Sequence, residues 1–339
     1  MPAPATITLS PSFTEPGMIM PSAQASHAFE LLGGRGPMIK LGEGDLVVYV
    51  NRLDVRTRIS SGQTAANQLP GIAITPSKIS TATYLNRLRA EWDHHDSASY
   101  SRNWNINLQA AYSLGLRQAH VQLERNALLY GINPSNGEGL INTAGAYTVT
   151  LPADTNSHSN VTLYDPGQLA QWLIQQVIAL KTRTNQLGTP RRITMVGPQR
   201  TLGFMEGEIV QVTSFQRVGA GSATIRLEFE KVLAEAGGDV LTWGYDDTLI
   251  GKGAGGTDMV ILALPDVEPL HGPAGLDTNV FAGLEPGLNF TTAMYQDMPA
   301  PREIIAPLTA GATDLVSEKR STSGWGLRPE AISLLSLAY

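Results

Sequence analysis

The chain contains no cysteine. Disulfides, thiolate-bound zinc, iron–sulfur clusters and thiol nucleophiles are therefore excluded at the outset. Charge is scarce as well. Asp, Glu, Lys and Arg make up 16% of the 339 residues, well below the ~25% usual in soluble domains. The formal net charge is −6, and Arg191-Arg192 and Lys319-Arg320 are the largest basic clusters. That balance argues against strong binding of nucleic acid through overall charge, although it leaves room for a local basic face. No apolar run approaches the ~18 uninterrupted residues of a membrane-spanning helix. The N-terminus has neither a charged leader region nor a compact apolar stretch, so no signal peptide is expected.

Catalytic signatures are missing too. There is no Gly-x-Ser-x-Gly elbow and no His-Glu-x-x-His pair. Gly251-Lys252-Gly253-Ala254-Gly255-Gly256 is the nearest approach to a phosphate-cradling loop. It lacks the Ser or Thr after the lysine, and the next stretch, TDMVILALP, reads as a strand instead of a helix. A loop joining two strands is the better reading. Asp93-His94-His95-Asp96 could be taken for metal ligands, but neighbouring side chains on an extended segment point to opposite faces. Asp96 or Ser97 serves better as a helix N-cap. Asp246-Asp247 could hold a cation, and a turn after a strand explains the pair equally well. His120 falls within a helical stretch, where a solvated or interface position suits it better than a catalytic one. No catalytic, cofactor-binding or metal-binding residues are assigned, and the sequence argues mildly against an enzyme.

What the chain does have is glycine (34), proline (21) and 42% hydrophobic residues on a neutral, polar background. Such a surface suits a protein whose faces are covered by copies of itself; a loop-rich globular protein would read the same way. Its most organised stretch is 97–142. Tyr100, Trp104, Leu108, Ala111, Gly115, Ala119, Leu123, Ala127 and Tyr130 recur in steps of three and four, the spacing of one stripe on a helix. One continuous rod of about 45–50 Å is expected from ~1.5 Å per residue, ending at Gly131 and a Pro- and Gly-rich turn.

Around that rod the chain reads in order. Residues 1–36 look like an extended arm with a short helix at 25–32. Residues 46–55 (LVVYVNRLDV) and 72–89 are rich in β-branched residues and flank a polar tip at 60–71, which predicts a long hairpin. A short strand is expected at 146–151. A helix comes next from Asp165-Pro166, with Asp at the cap and Pro in the first turn, then a strand at 191–196. Further strands are expected at 209–213, 223–229, 240–245 and 259–264, with a short helix near 230–236. Strand-like patterns return from 303 to 339. Strands and helices mix without a regular βαβ rhythm, so the class is α+β in one interwoven unit.

Three stretches carry a resemblance. The first is Glu124-Arg125-Asn126-Ala127-Leu128-Leu129-Tyr130-Gly131, with Asn136-Gly137-Glu138-Gly139-Leu140-Ile141-Asn142 shortly after it. The second is Gly324-Trp325-Gly326-Leu327-Arg328-Pro329-Glu330-Ala331-Ile332. The third is the helix from Asp165 with the strand ITMVGP after it. Together, along nearly the whole chain, they resemble the major capsid proteins of tailed bacteriophages, the Hong Kong 97 type.

The resemblance implies a division into an N-terminal arm (1–36), an E-loop hairpin with flanking P-domain strands (37–95), a P-domain with a long spine helix (96–150), an A-domain (151–302) and return strands (303–339). It implies a shell protein that forms hexamers and pentamers of an icosahedral head around double-stranded DNA, within a virion assembled in a bacterial cytoplasm. A portal protein and a decoration protein are implied partners; no membrane and no cofactor are. The chain has no room before its hairpin for the family's internal scaffolding region, so a separate scaffolding protein is expected. The family's Lys–Asn crosslink does not carry over, because residues 57–73 contain no lysine and Lys78 lies on the returning strand. Two other classes stay open: an encapsulin-like nanocompartment shell, and an enzyme using Asp246, Asp247 and the Gly-rich loop.

Overall fold

The computed structural model describes residues 26–33, 40–57, 72–104, 107–210, 223–267, 291–308 and 311–339. The expected hairpin tip at 60–71 and the expected arm up to residue 25 lie outside them. The first element is a short 3-10 turn, Ala28–Leu32, at the place where a short helix was expected. Strand β1 (Val47–Thr57) then pairs antiparallel with β2 (Ile72–Asp93), in a register running from Val47 opposite Ala82 to Thr57 opposite Ile72. The predicted hairpin is thus present, and its second strand is longer than the sequence suggested. β-Branched residues favour the strand up to Thr83, and pairing with a further strand carries it on to Asp93, 22 residues in all.

Helix α1 (His94–Trp104) begins directly after β2, and α2 (Leu108–Leu129) comes next. The expected single rod is therefore two helices. Asn107 has extended backbone angles, and its side-chain oxygen accepts from the Ala110 amide, capping a new helix. Asparagine competes for backbone groups in this way, which is why it favours caps over helix interiors. The start also differs: α1 begins at His94, ahead of the expected caps at Asp96 or Ser97. The Asp93 carboxylate accepts from the His95 amide, and the Asp96 carboxylate accepts from the Asp93 amide.

Beyond the turn come β3 (Tyr147–Thr150), α3 (Pro166–Arg183) and β4 (Arg192–Gly197). The Asp165 side chain caps α3 as expected, accepting from the Gln168 amide. Helix α4 (Gln199–Gly207), which the sequence did not reveal, starts after the Gly197-Pro198 turn. Strands β5 (Ile209–Val210) and β6 (Ala223–Thr224) follow, and residues 211–213 of the strand expected at 209–213 lie outside the described residues. The strand expected at 223–229 is instead mostly the start of helix α5 (Ile225–Gly237). Thr224 caps it by accepting from the Leu227 amide. Ile225, Phe229 and Leu233 are its buried residues, and their spacing of four is helical. The remaining strands are β7 (Val240–Tyr245), β8 (Asp258–Ala263), β9 (Ala293–Met294), β10 (Arg302–Pro307), β11 (Ala312–Thr322), β12 (Trp325–Gly326) and β13 (Ile332–Leu337).

Two main sheets organise the fold. A five-stranded sheet in the order β3-β13-β8-β4-β7 holds the largest core. Side chains alternate across it. Ile193, Met195, Val260, Leu262 and Leu335 face α3, α4 and α5 with Phe229 and Leu173, while Val196, Ile261, Ala263 and Leu334 pack with the 28–32 turn and the end of α2. Each fully buried aliphatic side chain of this kind contributes about 1.5–3 kcal/mol. The second sheet has the order β1-β2-β11-β10. Here β2 pairs with β1 over residues 72–82 and with β11 over residues 83–93. One strand therefore serves both the hairpin and the sheet under α2.

Candidate functional site

Asp246, Asp247 and the Gly-rich loop, the candidates for a catalytic or cation site, have structural duties. The Asp246 carboxylate, 1% exposed, accepts from the Thr248 amide and from the Ser26 hydroxyl. That of Asp247 accepts from the Gln199 amide at the start of α4. The Gly-rich loop uses its own amides: Gly251 donates to Asp258, Gly253 to the Thr257 carbonyl, and Ala254 to the Ser336 hydroxyl. It leads into β8, as the sequence predicted, and the Lys252 ammonium lies 5.5 Å from the centre of the Tyr130 ring. His94 and His95 are exposed, and the hydrogen bond from the His95 amide holds the Asp93 carboxyl below its usual range. No three His, Asp or Glu side chains converge as a metal site among the described residues. No helix among them is long and apolar enough to cross a membrane.

His120 departs from expectation. It is 2% exposed, packed against β11 with its Nε2 3.0 Å from the Ser317 hydroxyl. Burial, with the Lys319 charge nearby, pushes its pKa down. The buried face of α2 carries Leu108, Leu116, His120, Ala127, Leu128 and Leu129, whereas Ala111 and Gly115 of the expected stripe are exposed. The face is rotated from the apolar pattern because two polar residues, His120 and Glu124, have partners on β11. Lys319 donates to Glu124 at 2.5 Å and to Asp297 at 2.7 Å. Burial raises the Glu124 carboxyl. Burial also works against the Lys319 charge, but the hydrogen bonds to Asp297 and Glu124 outweigh it and hold that ammonium above its usual value.

The end of α2 is where the sequence motifs meet. Gly131 and Gly139 both have positive φ, +74° and +91°. A Cβ on Gly139 would stand 2.3 Å from the Tyr130 carbonyl carbon, so the two backbones touch only because no side chain intervenes. The Asn142 side-chain amide donates to the carbonyls of Tyr130 and Glu138, tying the helix end to the turn. Gly139 donates its amide to the Gly324 carbonyl at 2.7 Å, and Gly324 donates to the Ala127 carbonyl at 2.9 Å. The G-L-I-N turn and the C-terminal Gly-Trp-Gly segment are thus in direct contact.

Glu138 completes this junction, and sequence reasoning assigned it no role. Its carboxylate accepts from the hydroxyls of Tyr84 (2.7 Å) and Ser323 (2.6 Å) and from the Asn133 amide (3.0 Å). Burial, then the hydrogen bond to Glu138 and its charge, pushes the Tyr84 hydroxyl up to about 12. Three distant parts of the chain meet at one carboxylate: β2, the end of α2 and the C-terminal return. The position of Glu138 between two glycines was visible in sequence; nothing there pointed to Tyr84 or Ser323. The Tyr84 and Ser323 hydroxyls are both committed to the carboxylate. It fixes the hairpin strand, the turn after α2 and the segment after β11 relative to one another.

No protein-family model matches the chain, and no curated protein matches it by sequence. Solved structures do match its fold. The capsid of Myoviridae phage XM1 superposes with a TM-score of 0.67 at 12% identity, covering 96% of each chain. The capsid of an empty GTA particle gives a TM-score of 0.57 at 12% identity, over 98% of this chain and 96% of that one. The mature capsid of bacteriophage PhiM1 gives 0.56 at 11% identity, over 97% and 92%. Coverage is nearly complete in both directions, so the likeness extends from the hairpin through α2 to the closing strand. The chain has the fold of the major capsid proteins of tailed bacteriophages.

Proposed function

We propose that the chain is a major capsid protein that assembles into hexamers and pentamers of an icosahedral phage head enclosing double-stranded DNA. The observation that carries this reading is the hairpin. Among the described residues strand β1 pairs with β2 alone, yet at its base Leu46, Val47 and Tyr49 are 68%, 41% and 60% exposed. Apolar side chains on an unpaired sheet edge call for a partner surface, and a neighbouring copy supplies one. The division into arm, E-loop, P-domain and A-domain belongs to the same reading. So do a separate scaffolding protein, a portal, a decoration protein, and assembly in a bacterial cytoplasm before the head becomes part of the virion.

A closed shell forms through many repeated contacts of ordinary size, about 1,600 Å² for a specific pair, and closed rotational symmetry limits each ring. The rigid junction at Glu138 suits a subunit that must present the same surfaces in every copy. Negative-stain microscopy of the purified chain, with and without a scaffolding protein, tests the proposal. Icosahedral particles or rings of five and six are expected. A chain that stays monomeric at high concentration under both conditions overturns it. Particles loaded with a dedicated protein cargo in place of DNA would assign it to the nanocompartment class.

A further inference from the structure

The turn between α2 and the Glu138 junction holds the chain's single Asn-Gly step, Asn136-Gly137. It is a short 3-10 turn, Pro134–Asn136, closed by two backbone bonds. The Asn136 amide donates to the Asn133 carbonyl at 3.1 Å, and the Gly137 amide to the Pro134 carbonyl at 3.0 Å. Both residues are exposed, and the Asn136 side chain takes no hydrogen bond among the described residues. Gly137 has a φ of +75°, and a Cβ on it would meet only the Asn142 carbonyl oxygen, 3.8 Å away. The Gly137 nitrogen therefore carries no bulk that would keep the Asn136 carboxamide away from it.

Other asparagines are placed differently. Asn133 precedes a proline and has no N–H after it. The Asn107 side chain caps α2, and that of Asn142 donates to the carbonyls of Tyr130 and Glu138. Asn156 is exposed, but it precedes Ser157, whose side chain crowds the following nitrogen.

A nucleophile and an electrophile on neighbouring residues of one chain react with a high effective concentration once they are aligned. We propose that Asn136-Gly137 is a self-modifying site, and that its conversion loosens the Glu138 junction. The Gly137 backbone nitrogen attacks the side-chain carbonyl carbon of Asn136. Its proton passes to a base in solvent, the bond from that carbon to the side-chain nitrogen breaks, ammonia leaves, and a five-membered imide remains. Water then opens the imide. Opening at the side-chain carbonyl gives aspartate; opening at the backbone carbonyl gives isoaspartate, in which the main chain is one methylene longer. The attack waits until the Gly137 N–H leaves the Pro134 carbonyl, so the folded chain converts more slowly than the unfolded one. A surface 3-10 turn of three residues opens readily, so it does convert.

The consequence falls on the junction. The stretch from Asn133 to Glu138 closes on itself, because the Asn133 amide donates to the Glu138 carboxylate. That carboxylate is also held by Tyr84 and Ser323, and Gly139 beyond it has no room for a Cβ. So tight a loop has no slack for an extra methylene. Either product also adds a negative charge two residues from the Glu138 carboxylate, and like charges repel.

Incubation of the purified protein at mildly alkaline pH, with timed digestion and mass spectrometry, tests this. The peptide carrying Asn136 should gain one dalton at least tenfold sooner than the peptide carrying Asn156, and should become a substrate for an isoaspartate methyltransferase. The denaturation midpoint should fall in step with the converted fraction. Asn136→Gln, whose longer side chain closes an imide far more slowly, should keep its midpoint over the same time. Asn136→Ser, which cannot cyclise, is a second variant. An Asn136 peptide that stays unchanged in the folded protein while the chemically unfolded chain converts overturns the inference. So does conversion with no change in midpoint, or an equal fall in the midpoints of both variants. None of these outcomes depends on particle formation.

Discussion

Gly139 donates its backbone amide to the carbonyl of Gly324 across 2.7 Å, joining the turn after α2 to the segment that leads into the closing strands. The contact exists because neither residue has a side chain. A Cβ on Gly324 would lie 2.2 Å from the Leu128 carbonyl oxygen, and one on Gly139 2.3 Å from the Tyr130 carbonyl carbon.

Substitution there should be costly. Gly139→Ala forces a Cβ into backbone at a φ of +91° and should lower unfolding free energy by at least about 2–3 kcal/mol. Gly188, at φ +80°, would have nothing within 4 Å of an added Cβ, so Gly188→Ala should cost only about 1–2 kcal/mol of left-handed strain. Chemical denaturation of both variants measures the difference; equal losses would mean that the close approach at Gly139 has no energetic weight.

Tyr84 should report on the junction through alkaline pH. Its hydroxyl has an ordinary value of 10.0 and is pushed up to about 12 in the folded chain. A raised folded value means that its contribution is complete below pH 10 and is lost as pH climbs through about 12. Tyr84→Phe should cost about 1.5–3 kcal/mol at neutral pH, as for a hydrogen bond to a charged group. It should also make the loss of stability across that alkaline window shallower than in the unsubstituted chain. Parallel pH–stability curves for the two proteins would show that Tyr84 does not titrate as assigned.

Removing the cation at the helix–sheet seam should be worse than weakening one acid. Lys319→Met leaves Glu124 and Asp297 as buried carboxylates without their shared partner and should cost about 3–5 kcal/mol. Glu124→Gln keeps a hydrogen-bonding group of the same size and leaves Lys319 paired with Asp297, so a smaller loss is expected. Thermal melts of the two variants rank them, and a Glu124→Gln protein as unstable as Lys319→Met would contradict the pairing described.

The helix itself can be tested as structure. Ala119→Pro in the interior of α2 should cost ~3 kcal/mol or more and abolish particle formation. Gln109→Pro in the first turn, where an amide has no helical partner, should be tolerated within about 1 kcal/mol. Normal particles from Ala119→Pro would show that the helix carries no assembly role.

Much of this fold could be read from residues alone, and the failures have physical causes. The strands at 47–57, 240–245 and 258–263 have strong β-branched patterns, and α3 has Asp and Pro at its start, so local signals agreed with the fold. At 223–229 the β-branched Thr224 and Ile225 read as a strand, but tertiary packing of Ile225, Phe229 and Leu233 made a helix. The break before α2 turned on one asparagine side chain bonding locally, which an apolar-periodicity count cannot register. The buried face of α2 was misplaced because His120 and Glu124 are polar and find their partners nearly two hundred residues away. The junction at Glu138 was half legible: the glycines marked a turn, whereas Tyr84 and Ser323 reach it only through the fold.

One consequence of the long second strand concerns leverage. At ~3.3 Å per residue, the part of this strand beyond its pairing with β11, residues 72–82, reaches about 36 Å, so tilting it by one degree carries Ile72 about 0.6 Å. Its root is clamped by β11 and by the Tyr84–Glu138 hydrogen bond. Positional tolerance at that clamp is therefore multiplied along the strand. Copies tilted by about three degrees at the root would present Ile72 at positions about 2 Å apart, which lets one sequence meet neighbours set at slightly different angles.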